Sequence, residues 1–220
     1  MRYFVGELST SVEAACRWRR RKEERPAEIV SAALEVFTDK GFALCKLDEV
    51  AKRAGISKGT LYLYFENKEA LFKAVVNKFV LPQIEQAEEK AALHKGSKQV
   101  LLRELTEQWR LNILETGLSG IPKIMISEAS NFPELATFYL ENVIKRVRSF
   151  ISQLITQGVA EGEFRQCDGE LAARAFLAPL VFAAIWEHSL APFDDDYDRN
   201  AYINTQLDIF IHGIMKGKQE

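Results

Sequence analysis

Around residue 60 the chain gathers an ammonium, hydroxyls, phenols and an aliphatic chain: Ser57, Lys58, Thr60, Tyr62, Leu63 and Tyr64, with Gly59 among them. On one face of a short helix these groups suit a DNA major groove. Polar tips reach base edges or phosphate oxygens, apolar ones meet thymine methyls, and a glycine permits close backbone approach. Lys68 follows near the start of the next helix, where an ammonium can neutralise a phosphate. Tyr62 and Tyr64 have a second reading, as part-buried aromatics at helical spacing. Arg17, Arg19, Arg20, Arg21, Lys22 and Arg25 have the composition of a phosphate-seeking arm, and equally that of a solvated tail.

No residue set of comparable density points to catalysis. The sequence contains no Gly-x-Ser-x-Gly, no His-Glu-x-x-His and no phosphate-cradling glycine loop. Cys16, Cys45 and Cys167 are widely spaced and histidine occurs only 3 times, so neither a metal site nor a cofactor is expected, and the thiols read as reduced and partly buried. The net charge of −2 is unevenly spread: residues 1–73 hold 14 basic against 11 acidic side chains, leaving 15 against 20 for the remainder.

The elements that must position these groups are helices. Apolar residues recur at three and four, and period-two alternation is nearly absent, so an all-α fold is expected. After Pro26, the stripe Ile29, Ala32, Ala33, Val36 and Phe37 predicts a first helix closed by Gly41. Leu47, Val50, Ala51 and Ala54 predict a second, two-turn helix stopped by Gly55, and Ser57 caps a third through about Tyr64. Leu61 and Phe65 then pack with Ile56 and Val50, leaving the Lys58 to Tyr64 face outward. Asn67 caps a long fourth helix in which Pro82 predicts a bend or break. Further helices are expected near residues 97–115, 122–130, 133–158, 169–189 and 197–216.

The run Gly55-Ile56-Ser57-Lys58-Gly59-Thr60-Leu61-Tyr62-Leu63-Tyr64-Phe65-Glu66-Asn67-Lys68-Glu69-Ala70-Leu71-Phe72 resembles the signature of TetR-type repressors, and the likeness extends over residues 25–75. The resemblance implies a helix-turn-helix at residues 46–65 and a homodimer reading a near-palindromic double-stranded operator. It places Lys58, Gly59, Thr60, Tyr62, Leu63 and Tyr64 on the recognition helix and Lys68 on the DNA backbone. Cys45-Lys46 depart from the hydroxyl residues usual at the opening of the second helix; Lys46 can still touch a phosphate, but its cap is weak.

The resemblance fades after residue 80, so residues 76–220 carry over only as architecture: a helical effector-binding and dimerisation domain, after a basic extension at 1–24. A dimer formed by the last two helices would use Leu171, Ala172, Ala175, Phe176, Pro179, Leu180 and Ala183 with Ile203, Leu207, Phe210, Ile211 and Ile214; the same residues also suit an intrachain core. Trp109, Ile113, Phe138, Phe150, Phe182 and Trp186 are the candidates for an apolar effector cavity, and His188 for either a ligand hydrogen bond or a helix-end cap. No charge stands out as awaiting a counter-ion, which favours an apolar or aromatic effector. The charge-free run Ala175 to Trp186 is short and carries Pro179, and charges near the N-terminus break up any signal peptide, so no membrane segment and a cytoplasmic location are expected. The expected function is repression relieved by a small molecule; the alternatives are a ligand-responsive activator and a partner-binding helical bundle.

Overall fold

A computed structural model describes residues 25–217; the basic extension at 1–24 and Cys16 lie outside the described residues. Those residues form nine helices and no strand, with one isolated antiparallel bridge between Phe164 and Met215. Helix α1 spans 25–40 and ends where Gly41 takes φ +77°, a left-handed conformation that glycine adopts without penalty. Then come α2 (Leu47–Arg53) and α3 (Lys58–Tyr62). Helix α4 starts at Lys68–Val75, widens into a π-helical turn at Val76–Val80 and continues as Leu81–Leu93.

Of the bend or break expected at Pro82, the break does not occur. The Leu81 N–H donates to the Val76 carbonyl five residues back, so the helix has already widened where proline withholds its donor, and α4 runs on. Helix α5 (Lys98–Trp109, continuing through a π-helical turn at Arg110–Leu114) leads by a short 3₁₀ turn into α6 (Gly120–Glu128). Helix α7 runs from Pro133–Tyr139 through the turn Leu140–Ile144 to Lys145–Ala160. Helices α8 (Gly169–Glu187) and α9 (Arg199–Ile214) complete the bundle.

Two cores hold these elements. In the first, Phe37, Phe42 and Phe72 form a triangle with centroids 5.4 Å apart on every side, joined by Ile29, Val50, Leu61 and Leu71, all wholly buried. Each such aromatic pair is worth about 0.5–1.5 kcal/mol beyond burial. This core continues without interruption into Ile121, Ile124 and Met125 of α6 and Leu135, Tyr139 and Val143 of α7. The second core joins α5, α7, α8 and α9 through residues such as Leu102, Ile155, Phe176 and Ile211.

Helix α8 runs through Pro179 without stopping, over nearly the span that the sequence predicts. Its 19 residues are long and apolar enough to cross a membrane by length and composition, with mean hydropathy 1.4. The core helix of a folded bundle meets the same criterion, and Ala173, Phe176, Leu180, Ala183 and Ala184 pack inward here.

Candidate nucleic-acid interface and effector cavity

Helix α2 is fixed to α1 by Arg53, which pairs with Glu35 at 2.9 Å and Asp39 at 3.3 Å, and by the Lys40–Glu49 pair at 2.8 Å. The turn to α3 closes on Gly55, at φ +67°, and on Ile56, whose N–H donates to the Ala51 carbonyl. Ser57 then caps α3, its hydroxyl accepting from the Thr60 N–H at 3.1 Å and lying 2.9 Å from the Thr60 hydroxyl. Leu61 is wholly buried under the short helix.

The outer face carries Lys58, Thr60, Tyr62 and Leu63. Leu63 is 82 % exposed and Tyr62 46 %, so both reach outward from α3. An added Cβ at Gly59 would meet only the Ser57 hydroxyl, at 3.9 Å, so the glycine leaves an open notch beside them. Lys58 pairs with Asp48 of α2 at 2.8 Å, and that hydrogen bond, then the charge behind it, raises the ammonium's pKa. Tyr64 instead leans against the first core, half-buried. Lys46 is exposed at the α2 cap position and makes no side-chain cap hydrogen bond.

Lys68 departs from the expected phosphate contact. Its ammonium donates to the carbonyls of Phe42 at 2.7 Å, Ala43 at 2.9 Å and Cys45 at 3.3 Å, and lies 4.6 Å above the Phe42 ring. Its three donor positions are taken by the turn between α1 and α2. Beside it, burial pushes the Cys45 thiol up to about 11, opposed by the Lys68 charge.

An apolar cavity of about 840 Å³ lies among α4, α5, α6, α7 and α8. Trp109, Ile113, Phe150 and Phe182 line it. Phe138 does not: it packs on the first core with Lys73 5.7 Å from its ring. Trp186 stands outside as well, its ring tilted against Phe182 at 5.4 Å and Tyr197 at 6.0 Å. His188 bonds Ser119 at 2.7 Å. Two residues the sequence reading passed over, Arg148 and Arg174, also line the wall. Their spacing from Leu140 and Ile144, and from Ala178 and Phe182, is the helical signal that could have found them.

Most of the residues offered for a dimer interface take the other reading, the chain's own core. Phe176, Leu180, Ala183, Leu207, Ile211 and Ile214 are buried in the chain's own second core, with Ala172 and Phe210 packed against it. Leu171 and Ala175 of α8 do face outward, as does Ile209 of α9, whereas the exposed Ala178 and Phe182 line the cavity. Among the described residues, no group of three or more His, Cys, Asp or Glu could hold a metal ion.

This arrangement has relatives. Residues 29–75 match the family described as bacterial regulatory proteins, tetR family, and residues 101–212 match the AefR-like transcriptional repressor C-terminal domain. The second match recovers relatedness in the half where sequence reading found none. A fatty acid metabolism regulator protein of Bacillus subtilis is 28% identical over 202 residues, covering 88% of this chain and 98% of that one. YfiR, an HTH-type transcriptional regulator of the same organism, is 31% identical, covering 67% and 71%. The crystal structure of FadR from Bacillus subtilis in complex with stearoyl-CoA superposes with TM-score 0.71 at 25% identity, covering 86% and 98%.

Proposed function

The chain belongs to the TetR family of bacterial transcriptional regulators, and from that premise we propose that it is a homodimeric, cytosolic repressor released from a palindromic operator when a long acyl chain fills its cavity. It is a DNA-binding regulator and not an enzyme. Lys58, Thr60, Tyr62 and Leu63 would read the groove, Gly59 would let backbone approach a phosphate, and Lys46 would contact the flank. The acyl chain is suggested by the relative concerned with fatty acid metabolism and by the stearoyl-CoA held by a neighbour of the same fold.

The observation that carries the coupling is the position of α6. Ile121, Pro122, Met125 and Ile126 wall the cavity, while Ile121, Ile124 and Met125 belong to the core of the DNA-reading half. Gly120 abuts Thr38 of α1, and Phe132, just after α6, sits edge-on to Phe42 with centroids 4.8 Å apart. A ligand that wedges α6 therefore tilts α1 and the recognition helix with it. Two recognition helices held about 34–36 Å apart fit successive major grooves, and a change in that spacing lowers operator affinity by the ligand's preference for the tilted state. The outward stripe on α8, with Ile209, supports the dimer.

Selection of genomic fragments by the purified protein, with and without dodecanoyl-CoA, tests this reading. One palindromic motif, lost in the Tyr62→Ala variant and released by the acyl-CoA, is the expected result. No enriched motif would overturn the operator reading; a motif held equally with and without the acyl-CoA would overturn the effector.

A further inference from the structure

The cavity wall is almost wholly apolar, and several of its polar groups are already engaged. The Thr106 hydroxyl donates to the Leu102 carbonyl at 2.9 Å, the Thr137 hydroxyl to Pro133, and Asn112 to Gln83 at 2.9 Å. Among the described residues, only two on that wall carry charge, and both are arginines: Arg148 of α7 and Arg174 of α8.

Their placement follows from register. Helices α7 and α8 run antiparallel through the short connection at 161–168, and an ion pair joins Arg148 to Glu170. Leu140, Ile144 and Arg148 repeat every four residues along one wall; Arg174, Ala178 and Phe182 do so along the other. Arg148 thus faces the Arg174 end and Leu140 the Phe182 end. Leu140, Ile144, Ala178 and Phe182 are all exposed, so the cavity reaches the surface along this slit. The slit is greasy at one end and cationic at the other.

The two guanidiniums share one carboxylate. Arg148 pairs with the Oε1 oxygen of Glu170, and Arg174 stands 3.7 Å from that same atom. Two cations against one anion leave a local excess of positive charge. The Arg174 side chain is 57 % exposed and that of Arg148 19 %, so one fork is covered at the wall and the other free to swing. A planar guanidinium pairs bidentately with a carboxylate or a phosphate, and such charge-assisted bonds are about twice as strong as neutral ones.

We propose that Arg148 and Arg174 are the head-group site of this cavity, and that its ligand is a long-chain amphiphile whose anionic head displaces Glu170 while its chain fills the apolar space. The proposal rests on the acyl-chain reading above and narrows it: a neutral chain of the same length is a poor effector. The apolar or aromatic effector expected from the sequence keeps its apolar chain here and gains an anionic head.

Displacement of the neutral dye N-phenyl-1-naphthylamine from the full-length protein measures this directly. The probes are dodecanoate, dodecanoyl-CoA and dodecan-1-ol, against wild type, the Arg148→Gln/Arg174→Gln double variant and Glu170→Gln. Wild type is expected to bind at least one anionic probe about tenfold more tightly than the alcohol, as one charge-assisted pair would give. Preference for dodecanoate identifies a carboxylate head, and preference for dodecanoyl-CoA alone a phosphate-bearing one. In the double variant the alcohol should bind as in wild type, a control for intact folding, while the anionic advantage falls to about twofold or less. Glu170→Gln should favour the anions further. Equal binding of alcohol and anions by wild type, or an undiminished preference in the double variant, overturns the head-group site while leaving the acyl chain standing. If none of the three displaces the dye, the acyl-chain reading fails and this inference with it.

Discussion

Lys68 shows how one side chain can look the same in sequence and differ in role. A lysine beside a recognition helix suits a phosphate, but here three backbone carbonyls of the α1–α2 turn hold it. The distinction is measurable. Lys68→Met keeps the aliphatic stem and removes the donors, so stability should fall by about 1–3 kcal/mol while the slope of log affinity against log salt stays as in wild type. A phosphate-binding lysine would instead lower that slope by about 1 with little change in melting temperature. The turn carbonyls converge only in three dimensions, which is why no spacing rule finds them. The local caps are another matter: Ser57 and Asn67 each accept from the N–H three residues on, as their types and positions indicate.

His188 belongs to the same scale. Burial and the nearby Lys123 hold its pKa below the usual 6.5, against the opposing pull of Glu187, so the folded protein keeps it neutral. The unfolded chain takes up that proton near 6.5 while the folded one resists, so this group's contribution is present above about pH 6.5 and lost as pH falls below it. Melting temperature should therefore drop between about pH 7.5 and about pH 5.5, and less so in His188→Gln, which retains a partner for Ser119. An equal drop in both proteins would remove His188 from the explanation.

At the scale of elements, the α1–α6 seam is set by one missing side chain. A Cβ at Gly120 would lie 2.8 Å from the Thr38 methyl. Gly120→Ala should cost about 1–3 kcal/mol by overpacking and weaken operator binding as α1 is pushed aside. Thr38→Ser removes the methyl but keeps the hydroxyl that donates to Leu34, and should recover most of the loss in the double variant. Failure of that rescue, seen in a four-protein thermal melt, would place the strain elsewhere. Helix α8 marks where element-level reading gave out. It is apolar nearly all round, so periodicity identifies a helix yet cannot say which stripe faces in. Phe176 and Leu180, which suit a partner or the chain's own core equally, lie in the core, whereas Leu171 from the same run faces out. Pro82 misled for a related reason: proline chemistry forbids one hydrogen bond but does not dictate whether the helix breaks or widens.

For the whole molecule, the outward stripe makes a definite demand. A stable dimer buries about 1,200–2,000 Å² or more, and placing a charge at its apolar centre should prevent it. Leu171→Arg with Ile209→Arg, both outside the intrachain core, should sediment as a folded monomer and lose operator affinity together. A dimer of wild-type stability would show that some other face joins the copies. The helix-turn-helix was legible because its residues are constrained by local geometry and by DNA at once. The cavity was half legible: Trp109, Ile113, Phe150 and Phe182 lie on it, but Phe138 and Trp186 sit one helical step away, facing other neighbours.

The core that begins at Ile29 and ends at Val143 also bears on modularity. A segment excised after residue 75 would leave Phe42 without Phe132 and bare the apolar surface that Ile121, Ile124 and Leu135 cover. The DNA-reading half is thus no interchangeable cassette. A chimera that grafts it onto another regulator's sensor would have to carry α6 and the start of α7 along, so the workable splice points lie within the sensor and not at the border between the two halves.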